Sequence, residues 1–99
     1  MRISKQDALF IKNSIVEQTN AAVKIWLFGS RVNDDEKGGD VDLLVKLDVA
    51  VERPALLASG IAVKIMRQMH GRKVDVVLEA PNLDAKPIHA IAKQMGIEL

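Results

Sequence analysis

The sequence has no cysteine and no tyrosine, and its aromatic residues are limited to Phe10, Trp26 and Phe28. The absence of cysteine excludes disulfide bonds and thiolate metal sites, and it agrees with the cytoplasmic location that we expect. Three aromatic residues are too few for the stacking platform of a single-strand binder. Fourteen basic residues against thirteen acidic ones give a net charge of +1. No strong field therefore attracts a polyanion, and we expect no direct nucleic-acid binding.

The sequence also has no long hydrophobic run. Its longest charge-free stretch, Pro54 to Val63, is too short to span a bilayer, so we expect no membrane association. The N-terminal residues MRISKQD lack the apolar core of a signal peptide. Ninety-nine residues with 48% hydrophobic and 27% charged side chains fit one globular domain, which we assign to residues 1–99.

Hydrophobic periodicity predicts alternating helices and strands. Ser4 is a capping residue for a first helix that ends at about Asn20. The remaining predicted elements are strands at Val23–Phe28 and Val41–Leu47, a helix from about Arg53 to Gly71, a strand at Lys73–Leu78, a helix at Pro87–Met95 and a short strand at Ile97–Leu99. This order predicts an α+β fold, a small mixed sheet with helices packed on one face. Gly60 inside the second helix costs about 1 kcal/mol relative to alanine. A glycine at such a position suggests a steric reason, and we therefore expect the helix to approach the sheet closely there.

The stretch Ile25 to Val45 carries the chemistry. A hydrophobic strand ends at Gly29 and Ser30, and a second strand opens with Asp40 and Asp42. Side chains alternate along a strand, so these two carboxylates share a face and repel each other unless a cation lies between them. Oxygen ligands suit Mg²⁺, and a Gly-Ser turn offers backbone N–H groups and a hydroxyl to a phosphate. The stretch predicts a site for Mg²⁺ and a nucleoside triphosphate.

A third carboxylate lies on the strand at residues 73–78. If the valine faces of both carboxylate-bearing strands meet the helices, Asp75 emerges on the same face as Asp40 and Asp42. Glu79 is the alternative, at the end of that strand. On its own, a pair of aspartates at a strand start is more often solvated than metal-bound, and the preceding Gly-Ser turn favours the metal site.

Gly29-Ser30 after a hydrophobic strand, followed by DVDLLV at residues 40–45, resembles the signature of the polymerase-β-like nucleotidyltransferase superfamily. In its small size the chain is similar to the minimal nucleotidyltransferase (MNT) branch of this superfamily. The resemblance implies a palm-like fold and a two-ion Mg²⁺ site held by three catalytic carboxylates, which match Asp40, Asp42 and Asp75.

The resemblance further implies transfer of a nucleoside monophosphate, AMP from ATP or another nucleotide from its triphosphate. The triphosphate would bind at Gly29 and Ser30. Arg31 would either bind a phosphate or lie in solvent. The phosphate-binding motifs GxxxxGK[ST] and GxGxxG are absent, so this turn is the candidate for triphosphate binding.

Many MNT proteins resemble antitoxins that pair with a HEPN-domain RNase toxin, and some attach AMP to a tyrosine of that partner. The chain has no tyrosine and is therefore not its own tyrosine acceptor, so we expect a HEPN-type partner. Two alternatives stay open. In the first, the chain is a binding module that neutralises a partner by direct contact. In the second, it modifies a small molecule, as antibiotic nucleotidyltransferases do. Retention of all three carboxylates favours an enzyme over a binding module.

Overall fold

A computed structural model of the chain describes residues 3–29 and 41–99. The elements in these residues are α1 (Lys5–Thr19), β1 (Val23–Phe28), β2 (Val41–Leu47), α2 (Pro54–Gln68), β3 (Val74–Glu79), α3 (Pro87–Met95) and β4 (Ile97–Glu98). The predicted α+β class is confirmed, and the predicted elements are present with small shifts at their ends. None of the helices in these two ranges is long and apolar enough to cross a membrane.

The ends of α1 follow from short-range polar contacts. Ser4 Oγ accepts a hydrogen bond from the backbone N–H of Asp7 at 3.0 Å, which satisfies one of the free donors of the first turn. Asn20 ends the helix in the left-handed conformation, with φ of 51°, a conformation that asparagine tolerates. The predicted helix start and end are confirmed.

The second helix ends earlier than its sequence pattern predicts. Pro54 occupies the first turn of α2, where the missing N–H costs nothing. The helix ends at Gln68 rather than at Gly71. His70 and Gly71 both have positive φ, at 59° and 81°, and two successive left-handed residues reverse the chain before β3.

The strands form a four-stranded sheet in the order β3-β2-β1-β4. β1 pairs antiparallel with both β2 and β4. β2 pairs in parallel with β3, and such a pair needs a crossover connection, which α2 provides. β3 and β4 are the two edges of the sheet within the described residues.

Helices α1 and α2 pack on one face of the sheet and bury its apolar side chains. Four of these side chains belong to the apolar faces of β2 and β3, namely Val41, Leu43, Val74 and Val76. The first three are buried and Val76 is half-buried against the same core. The fully buried members of this core are Ile11, Ile15, Leu27, Val41, Leu43, Val45, Ile61 and Ile65.

We expected all helices on one face of the sheet and the opposite face open. Instead, α3 covers part of the opposite face. Lys93 of α3 donates to Glu79 Oε1 at 2.7 Å and lies 5.7 Å from the centre of the Trp26 ring. Leu44, which lies in register between Trp26 and Val77, is 0% exposed. Burial of Trp26, Leu44 and Val77 is favourable, and α3 covers the part of the face that carries them.

The predicted close approach of the helix to the sheet at Gly60 was wrong. Among the described residues, a Cβ atom at Gly60 would meet only Gln18 Oε1 of α1, at 3.3 Å. The close approach is therefore to a flexible side chain of the adjacent helix rather than to the sheet.

Alanine substitutions at Gly60 and Gly71 should change stability in opposite directions. Gly60→Ala should raise the free energy of unfolding by up to about 1 kcal/mol, because alanine favours helix and, within the described part of the chain, the Gln18 amide is held only by a 3.3 Å hydrogen bond to the Ser14 carbonyl. Gly71→Ala should lower it by about 1–2 kcal/mol, because φ of 81° is left-handed and disfavours a Cβ. Urea unfolding monitored through Trp26 fluorescence measures both. Equal destabilisation by the two variants would contradict the environment given for Gly60.

Candidate active site

Asp42 of β2 and Asp75 of β3 are direct partners in the parallel pair. In-register neighbours on adjacent strands project from the same face, about 4.8 Å apart along the hydrogen-bonding direction. This is the face opposite the main core. Asp42 is half-buried, and the Asp75 side chain is 49% exposed. The structure thus brings together two of the three carboxylates that the sequence singled out.

A bound cation would relieve the repulsion between these two carboxylates. Like charges at directly opposed positions on neighbouring strands repel each other. The Lys73 ammonium lies 3.9 Å from Asp75 Oδ2, and the two side chains are 68% and 49% exposed. An ion pair this exposed contributes little, so Lys73 compensates only a small part of the charge on Asp75.

Gly29 makes room for the Asp42 carboxylate. It follows the last residue of β1, Phe28, which is the antiparallel partner of Asp42. Its φ of 74° is left-handed, and an added Cβ would overlap Asp42 Oδ2 and lie 3.2 Å from Asp42 Cγ. Glycine is therefore required here for two independent reasons, its backbone conformation and the space that the carboxylate occupies. The sequence pattern predicts that Gly29 lets a phosphate approach the backbone, and the structure adds this steric role.

Three other predicted site residues lie outside the described part of the chain. These are the metal ligand Asp40 and the nucleotide-binding candidates Ser30 and Arg31, all within residues 30–40.

Glu79, the alternative to Asp75, takes part in a different contact. It lies four residues farther along β3, about 13 Å away at the rise of an extended strand. Its Oε1 accepts from Lys93 at 2.7 Å, and this ion pair is only partly exposed, at 32% and 23% of the two side chains. Glu79 therefore anchors α3 to the sheet, and Asp75 is the carboxylate on β3 that faces Asp42.

The donor chemistry of the pair fits Mg²⁺. Carboxylate oxygens are the protein ligands that Mg²⁺ prefers, and one or two of them suffice when water and substrate phosphates complete the shell. Within residues 3–29 and 41–99, no group of three or more His, Cys, Asp or Glu side chains is arranged to hold a metal. Asp42 and Asp75 alone represent the candidate set in that range, since Asp40 lies outside it.

The sequence pattern did not single out His89. The structure buries it to 6% exposure, and its Nδ1 accepts a hydrogen bond from the backbone N–H of Lys86 at 3.4 Å. His89 is the third residue of α3, after Pro87 at the first position. A polar side chain at the third helical position is the sequence signal for such a bond to the residue that precedes the helix.

Comparison with known proteins gives one family. The profile of a family described as "Nucleotidyltransferase domain" matches residues 11–95. The match extends from the middle of α1 to the end of α3 and includes β1, β2 and β3, which carry the candidate site. Among proteins of curated function, none matches the chain significantly.

A double-mutant cycle should separate the two roles of Gly29. In the wild-type background, Gly29→Ala should cost about 1–2 kcal/mol for the left-handed conformation and a further 1–3 kcal/mol, roughly, for displacing the Asp42 carboxylate. In the Asp42→Ala background only the conformational cost should remain, because the Cβ of residue 42 lies at an ordinary 3.5 Å. Urea unfolding of the four proteins measures the coupling. Equal costs in both backgrounds would show that the carboxylate does not occupy this space.

Proposed function

Because the chain belongs to the nucleotidyltransferase domain family, we propose that it transfers a nucleoside monophosphate, AMP from ATP, to a hydroxyl group on a partner protein. The observation that carries this proposal is the in-register pair of Asp42 and Asp75, placed beside a glycine whose missing Cβ accommodates one of the two carboxylates. Family membership supports general nucleotidyl transfer, and the superfamily resemblance of the sequence supports the choice of ATP and of a protein acceptor.

In this proposal, Asp40, Asp42 and Asp75 hold the Mg²⁺ ions of a two-ion site. When bound, Mg²⁺ supplies charge neutralisation at the phosphates and polarises their oxygens. The triphosphate binds at the turn after β1, where the Ser30 hydroxyl donates to a phosphate oxygen and Gly29 permits close approach of the backbone. Arg31 is a candidate for a second phosphate contact.

Asp75 is the proposed general base. The acceptor hydroxyl gives its proton to a carboxylate oxygen of Asp75 as its oxygen bonds to the α-phosphorus. The bond from the α-phosphorus to the bridging oxygen breaks, and pyrophosphate leaves. The 49% exposure of the Asp75 side chain leaves space for an acceptor, whereas Asp42 is half-buried against Gly29 and positioned by it.

The proposed partner is a HEPN-type protein, and the proposed biological role is that of an antitoxin. The absence of tyrosine in the chain excludes self-modification at that residue type. In residues 3–29 and 41–99, α1 and α2 cover one face of the sheet and α3 covers part of the other. All three helices pack against the sheet, and the exposed Asp75 side chain leaves the carboxylate accessible to an acceptor on a second polypeptide.

Mg²⁺-ATP should stabilise the folded chain. At a ligand concentration one hundred times Kd, the free energy of unfolding should rise by about 2.7 kcal/mol, and EDTA should abolish the increase. Asp42→Asn should shrink the increase, while Asp48→Asn, an exposed aspartate just after β2, should leave it unchanged. Thermal unfolding with and without Mg²⁺-ATP measures the effect. A shift of the same size in the presence of EDTA would contradict a metal-dependent nucleotide site.

Transfer itself should depend on Asp75. After incubation with labelled ATP, Mg²⁺ and a HEPN-type partner, mass spectrometry should show the partner carrying one or more nucleoside monophosphates. Asp75→Asn keeps the side-chain shape and should lower the transfer rate by about 10²–10⁴-fold, the usual effect of losing a general base. Glu79→Gln is the matched control and should transfer at the wild-type rate. Transfer at the wild-type rate by Asp75→Asn would exclude Asp75 as the base. Efficient modification of a small molecule without a partner would instead favour the antibiotic-type alternative.

A further inference from the structure

The outer edge of β3 carries backbone groups that the sheet does not use. The ladder with β2 begins with a hydrogen bond from Val41 N–H to the carbonyl of Lys73, at 2.9 Å, and Val41 is in register with Val74. In a parallel pair, alternate residues direct their N–H and C=O groups toward the neighbour. The backbone N–H and C=O groups of Val76 and Leu78 therefore point away from β2, toward the outer edge of the sheet. In the described part of the chain β3 pairs with β2 alone, and no other contact uses these outward groups.

A groove of about 420 Å³ follows this edge. Its floor is β3 from Val76 to Leu78, one wall is formed by Ala55 and Ala58 of α2, and the other wall includes Lys86 and His89. The groove therefore combines apolar side chains with a row of free backbone donors and acceptors.

The second wall is fixed in place before any ligand binds. Asn82 Nδ2 donates to the carbonyl of Val51 at 2.8 Å, and Val51 N–H donates to Asn82 Oδ1 at 2.9 Å. These two bonds tie the segment after β3 to the chain just before α2. A groove held open in this way loses little conformational freedom when it is occupied.

His89 adds a side-chain donor to the groove. Its Nδ1 accepts from Lys86 N–H, so the proton of the neutral ring lies on Nε2. His89 lines the groove, and the residues that the structure describes supply no acceptor for that proton. A carbonyl of a ligand in the groove could therefore accept a hydrogen bond from Nε2–H.

We infer that this groove binds an extended polypeptide segment of the acceptor protein, which adds as a strand to the free edge of β3. Main-chain hydrogen bonds to Val76 and Leu78 supply affinity in this recognition mode, and a carbonyl of the segment accepts from His89 Nε2–H. The occupant is a polypeptide because the floor offers backbone donors and acceptors at strand spacing, which a strand complements along its whole length.

The groove leads directly to the candidate active site. Asp75 precedes Val76 and projects from the face that carries Asp42. A residue of the docked segment opposite Asp75 projects from this same face at cross-strand distance. A serine, threonine or tyrosine at that position places its hydroxyl beside the Asp75 carboxylate. This delivery step rests on the proposed nucleotidyl transfer, whereas the docking itself does not.

A phage-displayed library of random 12-residue peptides, selected on the full chain, provides the probe. An enriched peptide, fluorescein-labelled, is titrated by anisotropy against Val76→Pro and Val76→Thr. Proline removes only the outward N–H, which is the position that an edge strand tolerates, and threonine keeps this N–H. Val76→Pro should weaken binding by at least about tenfold, and Val76→Thr should bind as the wild type does within about twofold. Equal binding by the two variants would overturn the inference.

A second measurement leaves the protein unchanged and decides the question if Val76→Pro fails to fold. N-methylation at alternate residues of the peptide should abolish binding, and methylation at the intervening residues should not. The amide resonances of Val76 and Leu78 should shift on titration. Binding that is insensitive to N-methylation, shifts confined to other strands, or the absence of any enriched peptide would overturn the inference. A peptide-free dimer that Val76→Pro converts to monomer would also overturn it, in favour of a second copy of the chain.

The peptide experiment separates docking from chemistry. Docking should need neither ATP nor Mg²⁺. With both present, a bound peptide whose hydroxyl residue faces Asp75 should gain a nucleoside monophosphate, and the same peptide with alanine at that position should not. Binding without transfer would uphold the docking site and overturn the delivery step.

Discussion

Val41 donates its backbone N–H to the carbonyl of Lys73, and from this bond the ladder between β2 and β3 runs in the register that sets Asp42 beside Asp75. The same register places the alternate side chains of both strands in the core under α1 and α2. Because the side-chain period of a strand is two residues, a slip of one would bury Asp75 and expose the valines of β3. Burial of the core therefore enforces the geometry of the candidate site.

The second face of the sheet divides into an apolar part and a polar part. α3 covers Leu44 and Trp26, and the partly buried ion pair of Lys93 with Glu79 holds the helix in place. The polar part keeps Asp75 accessible. The edge of β3 borders this polar part, so the free strand edge, the pinned groove wall and the carboxylate pair lie along one continuous surface. In our proposal, a small sheet thus keeps metal ligation, proton acceptance and partner docking close together.

The sequence predicted those features that depend on local periodicity. The alternation of the valines in β2 and β3 was sufficient to place Asp75 on the face of Asp42, because burial of one strand face determines the other. The position of α3 was not predictable, because its contacts with Trp26 and Glu79 exist only after three strands have paired. The burial of His89 depends on the same assembly. Gly60 indicated a close neighbour without identifying it, and the antitoxin role with its HEPN-type partner follows from resemblance alone and stays a proposal.

The central claim is that Asp42 and Asp75 form one cation site with a nucleotide, and paramagnetic broadening tests it most directly. Mn²⁺ is added in small steps to ¹⁵N-labelled protein that holds a non-hydrolysable ATP analogue, and the amide resonances are followed. The account predicts that Gly29, Asp42 and Asp75 broaden first and together, and that Asp42→Asn weakens the effect at all three positions. Early broadening centred on other carboxylates, such as Asp84 or Glu98, with Asp42 and Asp75 unaffected, would contradict it.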